Sequence, residues 1–167
     1  MSNYFKIYFQ KESDGAPVVD TIATFGMYCM ENPFLPYSGV KDVAKRSWND
    51  EHGDDEYISP EHGLFFESYE NKIKFGFNGQ AYEANKKLQA FIDYLRSGMV
   101  KIYCEFNAIG RQHVRLEKIA PTLYREVKGD VDILTIELTF KFNDPITNLE
   151  PETERSGIIT NLKIVQG

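Results

Sequence analysis

The amino-acid sequence predicts an α+β fold that is predominantly antiparallel β: a β-sandwich or partly closed barrel with one flanking α-helix. Apolar residues alternate with polar ones in several separate segments, which is the period of a half-buried strand. One segment, residues 81–97, instead has apolar residues three and four positions apart, as an amphipathic helix does. Aromatic residues make up 14% of the 167 residues, and this abundance also favours strands.

The first alternating segment covers residues 4–10 and is followed by a turn at 12–15. Residues 18–30 predict a second strand region, interrupted near Gly26. The segment 68–77 is the clearest early strand, and Asn78-Gly79 is expected to end it. The apolar rows of the first and third segments are Phe5, Ile7 and Phe9, and Tyr69, Ile73, Phe75 and Phe77.

Helical periodicity is confined to residues 81–97. Gly98 stands where a C-terminal cap in the left-handed αL conformation belongs, and Arg96 lies near the negative end of the helix dipole. The apolar face predicted for this helix consists of Ala84, Leu88, Phe91, Ile92 and Leu95.

Strands resume after the helix, over residues 100–106, 112–120, 122–127 and 134–142. Turns are expected at 107–110 and 128–130. Such clean alternation is typical of antiparallel strands with one solvated face. The longest apolar row belongs to the last strand and consists of Leu134, Ile136, Leu138, Phe140 and Phe142.

Two segments lack this order. Residues 31–60, interrupted by Pro33, Pro36 and Pro60, form a segment without clear periodicity that is unusually long for a small domain. It is either an ordered functional loop or an arm that reaches a neighbour, and we favour the arm because its apolar residues have something to bury. Together with this arm, residues 1–147 are predicted to form a single β-rich domain. Residues 148–167 form a C-terminal extension.

Within the C-terminal part, residues 143–157 are expected to be a linker. The β-prone stretch 158–165 is expected to add an edge strand to its own sheet or to dock on a partner. Apolar side chains in the arm and the extension predict an oligomer interface. Its residues are Val40, Val43, Trp48, Tyr57, Ile58, Ile158, Leu162 and Ile164.

Charge, terminal sequence and cysteine content narrow the classes of protein to which the chain can belong. The formal net charge of −6 and the pI near 5.1 argue against a dedicated nucleic-acid binder, which normally carries a basic face. The N-terminus lacks the layout of a secretion signal, and no apolar run reaches transmembrane length, so we expect synthesis and folding in a cytoplasm. Cys29 and Cys104 lie among apolar residues and are expected to be reduced and buried.

The acidic cluster of residues 50–56 is the candidate metal-binding site in the sequence. Neighbouring side chains on an extended chain point in opposite directions, and the spacing does not match a calcium loop. His52, His62 and His113 are scattered, and His113 is expected on the exposed face of its strand. Nucleophile-elbow and phosphate-loop patterns are absent from the sequence. The sequence therefore predicts no enzymatic activity, no metal and no cofactor.

Tyrosines on the predicted strands allow a second interpretation. Tyr4, Tyr8, Tyr69 and Tyr103 would suit a stacking platform for sugars or single-stranded nucleic acid. Tyrosines also pack across neighbouring strands and in interfaces. Because the acidic charge disfavours nucleic acid, a carbohydrate-binding β-sandwich module is the alternative function.

Three stretches of the chain, taken in order, resemble one protein family. In the first, Pro36-Tyr37-Ser38-Gly39-Val40-Lys41 leads through Trp48 to Gly53-Asp54-Asp55-Glu56-Tyr57-Ile58. The second is Lys72-Ile73-Lys74-Phe75-Gly76-Phe77, followed by the predicted helix and Gly98. The third is Leu138-Thr139-Phe140-Lys141-Phe142-Asn143-Asp144-Pro145. Over residues 1–147 their order is similar to the N-terminal β-domain of bacteriophage distal-tail proteins and to the related tail-tube fold.

This resemblance implies a structural subunit of a phage or prophage tail, synthesised in the bacterial host cytoplasm and incorporated into the virion tail. Such proteins form hexameric rings, bind other tail proteins, and let DNA pass without sequence-specific binding. An acidic lumen would not hold sliding DNA, in keeping with the net charge of −6. The sequence has no counterpart of the C-terminal carbohydrate-binding domain of larger members. A distal-tail ring, a tube subunit and another small tail component therefore all stay open.

Overall fold

The computed structural model describes residues 4–35, 38–80, 83–120, 124–128 and 131–166. In these residues strands are the main secondary structure and account for 47% of the chain, with two helices. The elements are β1 Ile7–Lys11, β2 Val18–Asp20, α1 Thr21–Phe25, β3 Met27–Cys29, β4 Lys45–Ser47, β5 Asp54–Glu56, β6 Tyr69–Gln80, α2 Ala84–Leu95, β7 Val100–Cys104, β8 Ile109–Ile119, β9 Tyr124–Lys128, β10 Val131–Phe142, β11 Leu149–Thr153 and β12 Ile159–Ile164.

The main sheet has the order β2-β1-β7-β8-β10-β6-β3, and β9 also pairs with β10. All of these pairings are antiparallel. The sheet is curled, so that the start of β1 approaches β3 at the far edge. There the Phe5 N–H, just before β1, donates to the Cys29 carbonyl of β3 at 2.7 Å. The predicted fold class, antiparallel β with a partly closed barrel and a flanking helix, is confirmed.

Helix α2 packs its apolar face onto the inside of this curled sheet. The Phe91 ring lies 5.2 Å from the rings of Phe25 and Phe75 and 6.1 Å from that of Phe9, centroid to centroid. Ala84 and Leu95 are also buried. The predicted helix is therefore confirmed over Ala84–Leu95, while residues 81 and 82 lie outside the described part of the chain.

Strands β6 and β10 pair along their whole length and supply the centre of the core. Both predicted apolar rows, on 69–77 and on 134–142, point inward and are buried. The prediction that Asn78-Gly79 ends the third strand is wrong, because Ile133 pairs with Asn78 and Val131 with Gln80, which extends the ladder.

The predicted strand region 18–30 contains a helix, so that part of the prediction is wrong. Asp20 is the N-cap of α1, where its side chain accepts a hydrogen bond from the Ile22 N–H at 2.9 Å. Gly26 ends the helix in the left-handed conformation, with φ 65°, and donates to the Ile22 carbonyl. The five helical residues Thr-Ile-Ala-Thr-Phe are mostly β-prone, and the two caps outweigh that preference.

Several helix and strand ends in the structure differ from the predicted ones. Helix α2 ends on Arg96 in the right-handed conformation, so Gly98, with φ 138°, is not the αL cap. Strand β7 stops at Cys104, which leaves Phe106 79% exposed, although its alternation placed it on the apolar face. Strand β8 starts at Ile109, inside the predicted turn. Residues 121–123 and 129–130, parts of a predicted strand and turn, lie outside the described residues.

The C-terminal residues form a hairpin of β11 and β12 that packs on the main sheet. The predicted linker 143–157 is wrong over Leu149–Thr153, which pairs with β12. Leu149 and Leu162 join Tyr103 in a small second core. Tyr103 alternates onto the outer face of β7, and this hairpin is what buries it. Leu162 is fully buried here, so it cannot serve as the interface residue that we predicted from sequence.

Candidate assembly surface on the arm

The segment between β3 and β6, predicted as the arm, projects from the barrel as two successive antiparallel pairings. Near the barrel, Val40 pairs with Phe66, and the Lys41 N–H donates to the Phe65 carbonyl at 2.8 Å. Farther out, β4 pairs with β5, from Lys45 opposite Glu56 to Ser47 opposite Asp54. The arm is thus an ordered ribbon and not the aperiodic loop that the sequence suggests. Two residues of the arm, Pro36 and Tyr37, lie outside the described part.

The base of the arm is fixed to the barrel. Phe34 is buried, with its ring 5.9 Å from that of Phe142 in an edge-to-face arrangement. The Asn71 side-chain amide donates to the Pro33 carbonyl at 2.8 Å. These contacts hold the start of the arm against the end of β6 and β10, so the ribbon leaves the barrel in a defined direction.

Large apolar side chains on the arm are exposed to solvent. Tyr57 is 73% exposed and Phe65 57%, whereas core residues such as Phe75 are fully buried. A two-stranded ribbon has no second layer to cover it and is only marginally stable alone in water. Contiguous exposed apolar surface marks an interaction site. We call the following six residues the arm patch: Val40, Trp48, Tyr57, Ile58, Leu64 and Phe65.

Part of the arm patch surrounds a shallow hollow. Its apolar lining consists of Val43, Ala44, Tyr57, Ile58, Leu64 and Phe65. Tyr57 is held there by its backbone N–H, which donates to the Ala44 carbonyl at 2.9 Å and continues the β4–β5 ladder by one step. The hollow is therefore an apolar depression on the arm whose lining includes four residues of the arm patch.

Four of the predicted interface residues, Val40, Trp48, Tyr57 and Ile58, are exposed on the arm. Val43 is half-buried in the hollow. Ile158 and Ile164 are exposed on the C-terminal hairpin, apart from the arm in sequence. The sequence analysis missed Leu64 and Phe65, although the apolar run Leu64-Phe65-Phe66 shortly after Pro60 was a usable signal.

The acidic cluster of residues 50–56 lies on the hairpin formed by β4 and β5. Over residues 45–56 five carboxylates face two cationic side chains, a net charge of −3. Lys45 pairs with Asp54 at 3.9 Å, and the Trp48 indole N–H donates to Asp55 at 3.2 Å. Among the described residues, no group of three or more His, Cys, Asp and Glu side chains is arranged to hold a metal ion.

The surroundings of Cys29, Cys104 and His113 indicate structural roles for these residues. Cys29 and Cys104 are free thiols and buried, as predicted. Burial raises the pKa of the Cys29 thiol to about 12, so it stays protonated at neutral pH. His113 is exposed, as its alternation predicts, and binds Glu12 twice. Its backbone N–H donates at 2.6 Å, and its Nδ1 lies 3.0 Å from the carboxylate.

The four tyrosines of the alternative function do not form one exposed platform. Tyr69 is buried and stacks on Phe142 at 4.7 Å between centroids, and Tyr103 is buried under the C-terminal hairpin. Tyr8 is half-buried, and its hydroxyl donates to Glu105 at 3.4 Å. Tyr4 is the one of the four that is classed as exposed.

Comparison with known proteins adds no relative: no family model matches the chain, and no curated protein matches it significantly. Neither helix of the described residues has the length and apolar character needed to cross a membrane.

Proposed function

We propose that this chain is a non-enzymatic structural subunit that assembles through its arm, as a ring-forming component of a phage or prophage tail. In that role copies of the chain surround a DNA conduit as a hexameric distal-tail or tube-like ring and contact other tail proteins. DNA passes through without sequence-specific binding.

The single observation that carries the proposal is the arm patch. Its six apolar side chains lie on a ribbon that is anchored at its base but uncovered along its length. Full burial of one such side chain contributes about 2 kcal/mol. Because four of the six are already about half covered in the single chain, completing their burial against a neighbouring subunit contributes about 1 kcal/mol each. This gain offsets part of the entropy cost of association.

Assignment to a phage tail is supported by the sequence resemblance, by the fold and by the net charge. A curled antiparallel barrel with one flanking helix matches the fold that the resemblance implies. The acidic chain, with a net charge of −6, suits a wall along which DNA slides.

Assembly is testable on the purified chain and on the chain co-expressed with the products of the genes beside its own. Light scattering and negative-stain microscopy should show closed annular particles in at least one of the two preparations. Monomers in both preparations, at the highest soluble concentration, would contradict the proposal.

A carbohydrate-binding module is the weaker candidate, because Tyr69 and Tyr103 are buried and unavailable for stacking. A glycan array separates the two functions. We expect no glycan to bind, and a specific signal lost in a Tyr4→Ala variant would favour the alternative.

A further inference from the structure

The outward surface of strands β8, β10 and β6 carries an excess of positive charge. Across these strands Lys118 and Lys72 flank Thr139, and Arg115 pairs with Lys141. Cross-strand partners point to the same side of a sheet, so these side chains share the face turned away from the core. We call it the cationic face. Its charged residues are Lys72, Lys74, Arg115, Lys118 and Lys141, against Glu70, Glu117 and Glu137.

Carboxylates neutralise this face only in part. Glu137 lies 3.8 Å from Lys72, and Glu117 lies 3.5 Å from Arg115. Hydrogen bonding to Glu117 raises the pKa of Glu70 above its ordinary value. Five cationic side chains against three carboxylates leave a net excess of two positive charges.

The opposite charge lies on the arm, in the hairpin 45–56 with its net charge of −3. Asp50 and Glu51 are both exposed in the turn that joins β4 to β5, at the opposite end of the ribbon from the barrel. Within one copy, the described residues show no ion pair between this hairpin and the cationic face. The two surfaces are therefore available to a second molecule.

We propose that the acidic turn of the arm hairpin in one copy docks on the cationic face of a second copy of this chain, while the arm patch covers apolar surface beside it. This inference rests on the proposed function and specifies its contact. Lys72 and Lys118 lie on strands two positions apart, roughly 10 Å from each other, which is a suitable span for two adjacent carboxylates at a turn.

Such a contact joins two different surfaces and is therefore heterologous. Heterologous contacts repeat head to tail, and they give a ring when the rotation closes. Charge complementarity of this kind fixes the register and orientation of partners more than it adds affinity. The apolar arm patch then supplies most of the association energy, and the ion pairs decide where the arm lands.

A charge-swap experiment tests the inference. The face variant K72E/K118E and the arm variant D50K/E51K each reverse two exposed charges, and K86E/K87E on α2 is the control with the same change in net charge as the face variant. In sedimentation velocity we expect each of the first two variants to associate at least tenfold more weakly than the wild type. The control should associate like the wild type, and an equimolar mixture of the two variants should recover association.

The outcomes separate this inference from the proposed function. If the wild type assembles and the face variant assembles equally well, or the mixture does not recover, the cationic face is not the partner surface and the inference is wrong. In that case the proposed function still stands. If the purified wild-type chain is monomeric, the inference is also wrong. The proposed function is contradicted only if the chain remains monomeric when it is co-expressed with the products of the neighbouring genes as well. Unchanged circular dichroism and melting temperature show that the variants fold.

Discussion

Barrel and arm both contain antiparallel strand pairings and large aromatic side chains, but the barrel buries those side chains and the arm exposes them. In the barrel, Phe75 and Phe140 are fully buried, and α2 closes the open side of the sheet. In the arm, Tyr57 and Phe65 are more than half exposed. The difference is a second layer: the sheet has a helix and its own curvature to cover it, whereas the ribbon has neither.

The C-terminal hairpin is an instructive third case, because it is also a two-stranded ribbon but is covered. Leu149 and Leu162 pack on Tyr103, and a buried polar contact fixes the position. The Gln10 side-chain oxygen accepts from the Leu162 N–H at 3.0 Å, and its amide donates to the Asn161 side chain at 2.9 Å. A ribbon in this molecule is therefore stable when the chain itself supplies a docking surface, and the arm lacks one.

The largest effect is expected in the barrel. Phe91→Ala removes the ring at the centre of the helix–sheet contact and should lower the free energy of unfolding by about 3–5 kcal/mol. Gln89→Ala, on the exposed face of the same helix, is the control and should change it by less than about 0.5 kcal/mol. Urea denaturation measures both. Equal effects would mean that α2 does not cover the core.

An intermediate effect is expected where the C-terminal hairpin docks. Gln10→Ala removes the acceptor of the Leu162 N–H and the donor to the Asn161 side-chain oxygen, which should cost about 1–3 kcal/mol. Hydrogen exchange should accelerate over residues 159–164 before it does so in β6 and β10. Unchanged protection of these residues would show that Gln10 does not hold the hairpin.

A smaller, pH-dependent effect is expected at the connection between barrel and hairpin. Burial would raise the pKa of Asp144, but hydrogen bonds from Gln112, Thr147 and Ile146 outweigh it and lower the pKa to about 2. Because the folded pKa lies below the unfolded value near 3.8, the stabilisation is present above about pH 4 and is lost as pH falls toward 2.

Asp144→Asn removes the charge and keeps the backbone contacts, because the asparagine side-chain oxygen can still accept hydrogen bonds from the backbone N–H groups of Ile146 and Thr147. After allowance for solvent screening, we expect a loss on the order of 1 kcal/mol at pH 6 that disappears near pH 2. Thermal melts across this pH range measure it. A loss that is the same at every pH would contradict the assignment to the carboxylate.

Sequence reasoning found the barrel because alternation and helical period report directly on which side chains a sheet and a helix bury. The rows on β6 and β10 and the face of α2 were read correctly from their spacing. It failed at α1, where four β-prone residues and Ala23 form a helix capped by Asp20 and Gly26, and at Tyr103, which alternation places outside. Only the tertiary packing of the C-terminal hairpin, distant in sequence, shows that Tyr103 and Leu162 are buried together.

On the arm, sequence supplied the residues but not the geometry. Val40, Trp48, Tyr57 and Ile58 were identified as apolar side chains in a segment without clear periodicity, and they led to the prediction of an arm that buries them against a neighbour. The short β4–β5 pairing escaped notice because its strands are only three residues long and entirely charged or polar. Short ribbons of this kind leave no periodic signal.

Sedimentation velocity of an arm-patch variant, W48S/Y57S/F65S, beside the wild type tests the central claim most directly. The claim is that the arm serves assembly and not folding. We therefore predict that the wild type sediments as an oligomer and the variant as a monomer. The variant should unfold within about 0.5 kcal/mol of the wild type, since these side chains are exposed in the single chain. A variant that still assembles, or one that loses its fold, would contradict the claim.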